Sequence, residues 1–219
     1  MRSTTWSVAV GENSITAVFD AAARGTAPPV FLFAHGAGGN MGDRGMVALT
    51  ELLCGLGMHV VRFNFPYAER NSRRPDPMPL LMDCIAAVAA RARREIDARR
   101  WILGGRSMGG RAASMLVADG YACDGLLLFA YPLHPPGSPE KLRDAHLQRV
   151  TTPVLCFNGT RDPLCERALM DAVVARLTGN WTMHWLDGAD HSFHVTKSSG
   201  RDDAAVLDEI GTATAAWLA

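Results

Sequence analysis

Short uninterrupted apolar blocks alternate along this chain with longer stretches whose apolar residues recur at helical spacing. Residues 30–34 (Val-Phe-Leu-Phe-Ala), 125–130 and 153–158 are almost wholly apolar, as strands covered on both faces are, and 59–65 (His-Val-Val-Arg-Phe-Asn-Phe) reads as a further strand of the buried type. Residues 101–103, leading into Gly104-Gly105, and 181–186 read as two more. At the start, residues 6–10 and 15–20 flank Gly11-Glu12-Asn13-Ser14 and predict an opening β-hairpin at a sheet edge. Helices are predicted over 44–56, where Met46, Leu49, Leu52 and Leu53 share a face, and over 80–100, where Leu81, Ile85, Val88, Ala89 and Ala92 do. Further helices are predicted over 108–118, 139–148, 165–178 and 202–218. Loops are expected over 21–29 and over 66–79, the second exposed and mobile on account of its four prolines and of Arg70, Arg73 and Arg74. Eight strands alternating with helices predict an α/β, mostly parallel, doubly wound sheet with right-handed crossovers and helices on both faces.

A chain of 219 residues is long enough to bury most of its apolar surface in one domain, expected to span 1–219 without disulfides or metals. Lysine and arginine total 22, aspartate and glutamate 22, so no overall field favours nucleic acid or an anionic membrane. Arg91, Arg93, Arg94, Arg99 and Arg100 crowd one predicted helix end, where they suit the negative end of the helix dipole and a solvated face. Residues 1–7 lack an apolar leader core, and no stretch reaches the roughly 18 apolar residues of a membrane span. A soluble cytoplasmic protein is expected, with neither membrane nor nucleic-acid partner. The five cysteines are odd in number with no C-x-x-C spacing, which argues for small buried side chains rather than disulfides or zinc ligands.

The chemistry concentrates where predicted strands end, the edge at which open parallel sheets bind ligands. Gly105-Arg106-Ser107-Met108-Gly109 fits a tight strand-to-helix turn that presents a serine oxygen. The motif alone is weak and needs partners. A serine hydroxyl is a poor nucleophile without a base, and histidine serves as one when a carboxylate fixes its tautomer. Asp162 follows the strand at 153–158 and is preferred over Asp124, Asp187 and Asp190; His191 lies in a Gly-Ala-Asp loop and is preferred over His194. Ser107, Asp162 and His191 therefore stand in the chain order Ser, Asp, His. No third ligand accompanies His191 and His194, so neither metal nor cofactor is expected. The glycine-rich stretch 35–40 lacks the G-K-[ST] or G-x-G-x-x-G context of a phosphate cradle.

At these residues the sequence resembles the α/β-hydrolase superfamily, and within it the small lidless dienelactone-hydrolase-like group that includes the hydrolase-like domain of an NSL histone-acetylation complex subunit. The similarity covers essentially the whole chain and is carried by Phe33-Ala34-His35-Gly36-Ala37-Gly38-Gly39, Asn64-Phe65-Pro66-Tyr67, Gly105-Arg106-Ser107-Met108-Gly109-Gly110-Arg111, Tyr131-Pro132-Leu133-His134-Pro135-Pro136, Asn158-Gly159-Thr160-Arg161-Asp162 and Asp190-His191-Ser192-Phe193. Dienelactone hydrolases proper use a cysteine nucleophile where this chain has Ser107, so their substrate is not carried over. The resemblance implies an α/β-hydrolase fold and an oxyanion hole formed by the backbone amides of Met108 and Ala37. The glycine content around Ala37 and the helix beginning at Met108 agree with that assignment.

The expected function is a serine hydrolase acting on carboxylic esters or related acyl bonds of a small-molecule substrate. A thioesterase, a peptidase and a noncatalytic binding module on the same fold are the alternatives. His35, Gly36, Gly38, Tyr67, Arg106 and His134 are pocket candidates, although Tyr67 also suits core packing and His134 an ordinary loop position. Arg106 and Arg111 suit either an anionic substrate group or a carboxylate across the sheet. The connection 131–152 is too short for a cap domain.

Overall fold

In the computed structural model, which describes residues 2–25 and 27–219, the strands form one eight-stranded sheet. Met1 and Thr26, the latter within the predicted 21–29 loop, lie outside the described residues. The strands are β1 (Ser3–Val10), β2 (Asn13–Asp20), β3 (Val30–Ala34), β4 (His59–Phe63), β5 (Trp101–Arg106), β6 (Gly125–Phe129), β7 (Val154–Gly159) and β8 (Trp181–Leu186). The helices are α1 (Arg44–Gly55), α2 (Pro66–Glu69), α3 (Met78–Glu95), α4 (Met108–Ala118), α5 (Arg167–Val174) and α6 (Asp203–Leu218). Spatial order is β1-β2-β4-β3-β5-β6-β7-β8. β1 and β2 form the expected antiparallel edge hairpin, β2 joins β4 antiparallel, and all later neighbours run parallel.

The side-chain period of two divides each central strand between two cores. Val30, Leu32, Leu126 and Leu128 face one core with Leu81, Ile85 and Val88 of α3, Ala112 and Ala113 of α4, and Met170 and Val173 of α5. Phe31, Phe33, Leu127 and Phe129 face the other with Met46, Leu49 and Leu53 of α1 and Val206 and Ile210 of α6. On that second face Phe129 stacks on Phe157 at 5.6 Å between centroids and meets Phe33 at the same distance. Register then aligns the strand ends: Ala34 lies opposite Gly105, Arg106 opposite Phe129, and Gly159 opposite Leu186. The loops after β3, β5, β7 and β8 consequently emerge on one edge.

Three local expectations change. Residues 66–79 begin as α2, with Pro66 and Tyr67 buried, and the segment is tied down rather than loose: Asp76 accepts from the Tyr67 amide at 2.8 Å and from Arg70 at 2.5 Å, and Glu69 accepts from the Thr16 amide at 2.8 Å. The helix expected over 139–148 is a series of turns ending in a 3-10 turn, Leu147–Arg149. There the Arg143 amide reaches back to the Leu133 carbonyl, and the Arg143 carbonyl is taken by the Tyr131 hydroxyl at 2.8 Å, which removes the groups a helix would pair. α3 stops at Glu95 because Ile96 is extended and packs against the core. Among the described residues, only turns and that 3-10 turn lie between β6 and β7.

Candidate active site

Ser107 occupies the turn between β5 and α4 at φ 50° and ψ −115°, backbone angles that cost a residue with a side chain about 1–3 kcal/mol. The surroundings enforce them: the Ser107 amide donates to the Phe129 carbonyl at 2.8 Å, and the Ser107 carbonyl accepts from Arg111 at 3.0 Å. Room for so sharp a turn comes from Gly105 and Gly109. A Cβ on Gly105 would stand 2.4 Å from the Ala34 carbonyl oxygen, and one on Gly109 2.5 Å from the same atom.

His191, in the loop after β8, brings Nε2 to 2.9 Å from Ser107 Oγ, and its Nδ1 lies 2.8 Å from Asp162 Oδ2. An ionised carboxylate only accepts, so the proton sits on Nδ1 and Nε2 is left to accept from the serine hydroxyl. The Asp162 carboxylate is fully buried, while the His191 ring is one-quarter exposed. Asp162 is itself held from two sides: Oδ1 accepts from the Leu164 amide at 2.8 Å, and Oδ2 accepts from Asn158 Nδ2 at 3.2 Å. Asn158 is locked in turn by its exchange with the Tyr131 backbone at 3.1 Å in both directions. The sequence reading placed this asparagine in the stretch that carries the resemblance but gave it no role, although a polar residue ending an apolar strand was the available signal.

The rival carboxylates are engaged elsewhere. Asp124 accepts from the Trp101 amide at 2.7 Å, Asp187 from Thr160 Oγ1 at 3.3 Å, and Asp190 from the Ser192 and His194 amides at 2.7 and 3.1 Å. His194 is exposed and pairs with Asp203 at 2.6 Å. Among the described residues no cluster of three metal-ligating side chains is found, and no helix is long and apolar enough to cross a membrane.

A groove of about 370 Å³ opens over Ser107 and His191, walled by Gly36, Ala37, Met46, Arg106, Leu164 and Ser192. Among the described residues, the amides of Ala37 and Met108 reach no protein acceptor. Two buried side chains orient the first of these. His35 is fully buried; its Nε2 accepts from the Phe65 amide at 3.1 Å, leaving Nδ1–H to donate to the Gly36 carbonyl at 2.8 Å. The Tyr67 hydroxyl donates to the same carbonyl at 3.0 Å. In a trans peptide the carbonyl and the following N–H point in opposite directions, so fixing the Gly36 oxygen on the buried side turns the Ala37 N–H away from it.

Of the six pocket candidates, Gly36 and Arg106 line the groove. Gly38 makes the loop turn at φ 72°, and Gly39 takes its place on the wall. His35 and Tyr67 lie beneath the groove as buried hydrogen-bond donors rather than on its surface, and burial pushes the Tyr67 hydroxyl up to about 12 and lowers His35 below the ordinary histidine value. His134 is also buried. Its Nε2 accepts from the Glu166 amide at 3.2 Å and its backbone amide donates to the Leu164 carbonyl at 3.0 Å, so it fixes the loop that carries Leu164. Arg106 donates through Nη2 to the His191 carbonyl at 3.0 Å, so its partner is main chain rather than a carboxylate across the sheet. Burial lowers its pKa from the usual arginine value, opposed by Asp43, Asp190 and Asp162 nearby.

A family profile described as an alpha/beta hydrolase domain matches residues 27–219. The chain belongs to the α/β-hydrolase family. Its fold is similar to that of an alpha-beta serine hydrolase homologue from Coxiella burnetii (TM-score 0.79, 18% identity, 99% of this chain and 97% of the other). A dienelactone hydrolase from Anabaena variabilis matches at TM-score 0.76 and 18% identity over 99% of this chain and 96% of its own. A serine hydrolase without lid from Xanthomonas campestris matches at TM-score 0.75 and 18% identity over 98% and 94%. Like the last of these, this α/β-hydrolase has, among the described residues, no domain over its strand-end groove.

Proposed function

We propose that the protein is a serine hydrolase that cleaves a carboxylic ester or related acyl bond through an acyl-enzyme on Ser107. The observation that carries this reading is the unbroken Ser107–His191–Asp162 chain of 2.9 and 2.8 Å contacts, assembled from three separate loops on one sheet edge.

Each step follows from that geometry. Ser107 Oγ attacks the carbonyl carbon as its proton passes to His191 Nε2, and the imidazolium so formed is stabilised by the buried Asp162 carboxylate, which stays ionised. Negative charge develops on the former carbonyl oxygen, where the Ala37 and Met108 amides supply two preorganised donors. His191 then returns the proton to the leaving oxygen, and the acyl group remains on Ser107. Water enters the uncapped groove and gives a proton to His191 Nε2 as it attacks the acyl carbon; His191 then passes that proton to Ser107 Oγ as the acyl–oxygen bond breaks, releasing the acid and regenerating Ser107. A groove without a lid suits small to medium substrates that need no shielding from solvent. The eight strands share one sheet, and we take the whole chain to act as a single domain.

Hydrolysis of p-nitrophenyl acetate and butyrate by wild type and by Ser107→Ala tests the proposal. Loss of kcat by up to about a millionfold is expected for a missing nucleophile. Equal rates in the two proteins would remove Ser107 from the chemistry.

A further inference from the structure

A second cavity, of about 200 Å³, lies between α1 and α6 beside the Ser107 groove. Its walls are Gly45, Ala48 and Leu49 of α1, Val206 and Leu207 of α6, and Phe193, together with the polar residues Arg44, His194 and Asp203. Two residues, Arg106 and Ser192, belong to the walls of both spaces. We infer that this slot is the alcohol subsite of the Ser107 groove, taking a single aromatic ring or a compact alkyl group attached to the leaving oxygen of the ester. The inference rests on the serine-hydrolase reading and adds to it the half of the substrate that is recognised.

Three observations converge on that assignment. The leaving oxygen must collect its proton from His191 Nε2, whereas the carbonyl oxygen turns toward the Ala37 and Met108 amides, so the alcohol half departs on the histidine side. The slot is on that side: the chain runs from His191 directly into Ser192 and Phe193, both of which wall it. Arg106, at the edge common to the two spaces, is held in place because its Nη2 donates to the His191 carbonyl at 3.0 Å. The facing α1 residue is Gly45, where even a Cβ would come within 3.1 Å of Arg106 Nη1. Size sets the class of group. A dry apolar cavity of about 150 Å³ is enough to hold benzene, so about 200 Å³ accommodates one ring. A guanidinium and the Phe193 ring among the walls favour a planar occupant.

Three esters separate the two halves of the substrate: ethyl acetate, benzyl acetate with its ring on the alcohol, and ethyl phenylacetate with its ring on the acyl group. In wild type, kcat/KM for benzyl acetate is expected to exceed that for ethyl acetate by about tenfold or more, with a smaller gain for ethyl phenylacetate. Filling the slot from opposite walls, by Ala48→Phe and separately by Leu207→Phe, should lower the benzyl-to-ethyl acetate ratio at least about fivefold in whichever variants retain the wild-type circular dichroism spectrum. An unchanged ratio in a folded variant, or a ring preferred on the acyl side, overturns the subsite while leaving the hydrolase intact. Failure of wild type to turn over all three esters, together with failure of a fluorophosphonate to modify it, overturns the hydrolase reading and the subsite with it.

Discussion

Removing the Tyr67 hydroxyl, in the variant Tyr67→Phe, should weaken catalysis from a position that substrate never touches. The Gly36 carbonyl accepts from Tyr67 Oη at 3.0 Å and from His35 Nδ1 at 2.8 Å. The variant leaves it one donor, so no buried carbonyl is orphaned and the stability loss should be that of one ordinary hydrogen bond, about 1 kcal/mol. For a chain of this length that corresponds to a fall in Tm of about 2–4 °C. The catalytic effect differs in kind. Deleting an oxyanion donor outright costs about 10²–10³ in kcat; here the Ala37 amide remains and only its aim is loosened, so kcat should drop about three- to tenfold with KM little changed. Steady-state kinetics on p-nitrophenyl butyrate, paired with a thermal melt, read both quantities. A variant with lowered Tm and wild-type kcat would refute the orienting role and leave Tyr67 as a packing residue.

Other outcomes follow from the same structure. His146 is buried and bonded to Ser114 Oγ at 2.8 Å, and burial lowers its pKa to about 4. The unfolded chain therefore takes up protons first, and stability should decline as pH falls from about 6.5 toward about 4; urea titrations should show a shallower decline in His146→Gln. Burial raises the pKa of all five cysteine thiols, so iodoacetamide at pH 7 should leave ester turnover intact. Rapid inactivation would contradict a serine-dependent site. Gly109→Ala would drive a methyl group to 2.5 Å from the Ala34 carbonyl oxygen. Destabilisation of about 3 kcal/mol is expected from such overpacking, read as a lower urea midpoint, and an unchanged midpoint would show that the turn can relax.

Much of this arrangement was legible in the sequence because it depends on periods and on chain order. Doubly covered strands such as Val30–Ala34 and Gly125–Phe129 are apolar at every position or nearly so, and their carboxyl ends mark where polar loops must gather. What the sequence left obscure was the fate of polar groups with long-range partners. His35, Tyr67 and His134 carry the side chains of a pocket, yet their bonds run to the backbone of distant loops, and no spacing rule distinguishes a histidine that faces substrate from one that holds a carbonyl. Helix ends failed for a related reason. The 139–148 segment has helical composition, but Tyr131 and Leu133 claim its backbone groups, and Pro66–Glu69 reads as loop until the buried Tyr67 side chain is seen to anchor it.

The central claim is that the Ser107 hydroxyl is activated by His191. Treating the protein with a fluorophosphonate and locating the added mass by peptide mass spectrometry tests it most directly. The account predicts a single stoichiometric adduct on Ser107 in wild type, with labelling slowed by several orders of magnitude in His191→Gln. An adduct on another residue, or labelling of Ser107 at the same rate in His191→Gln, would contradict it.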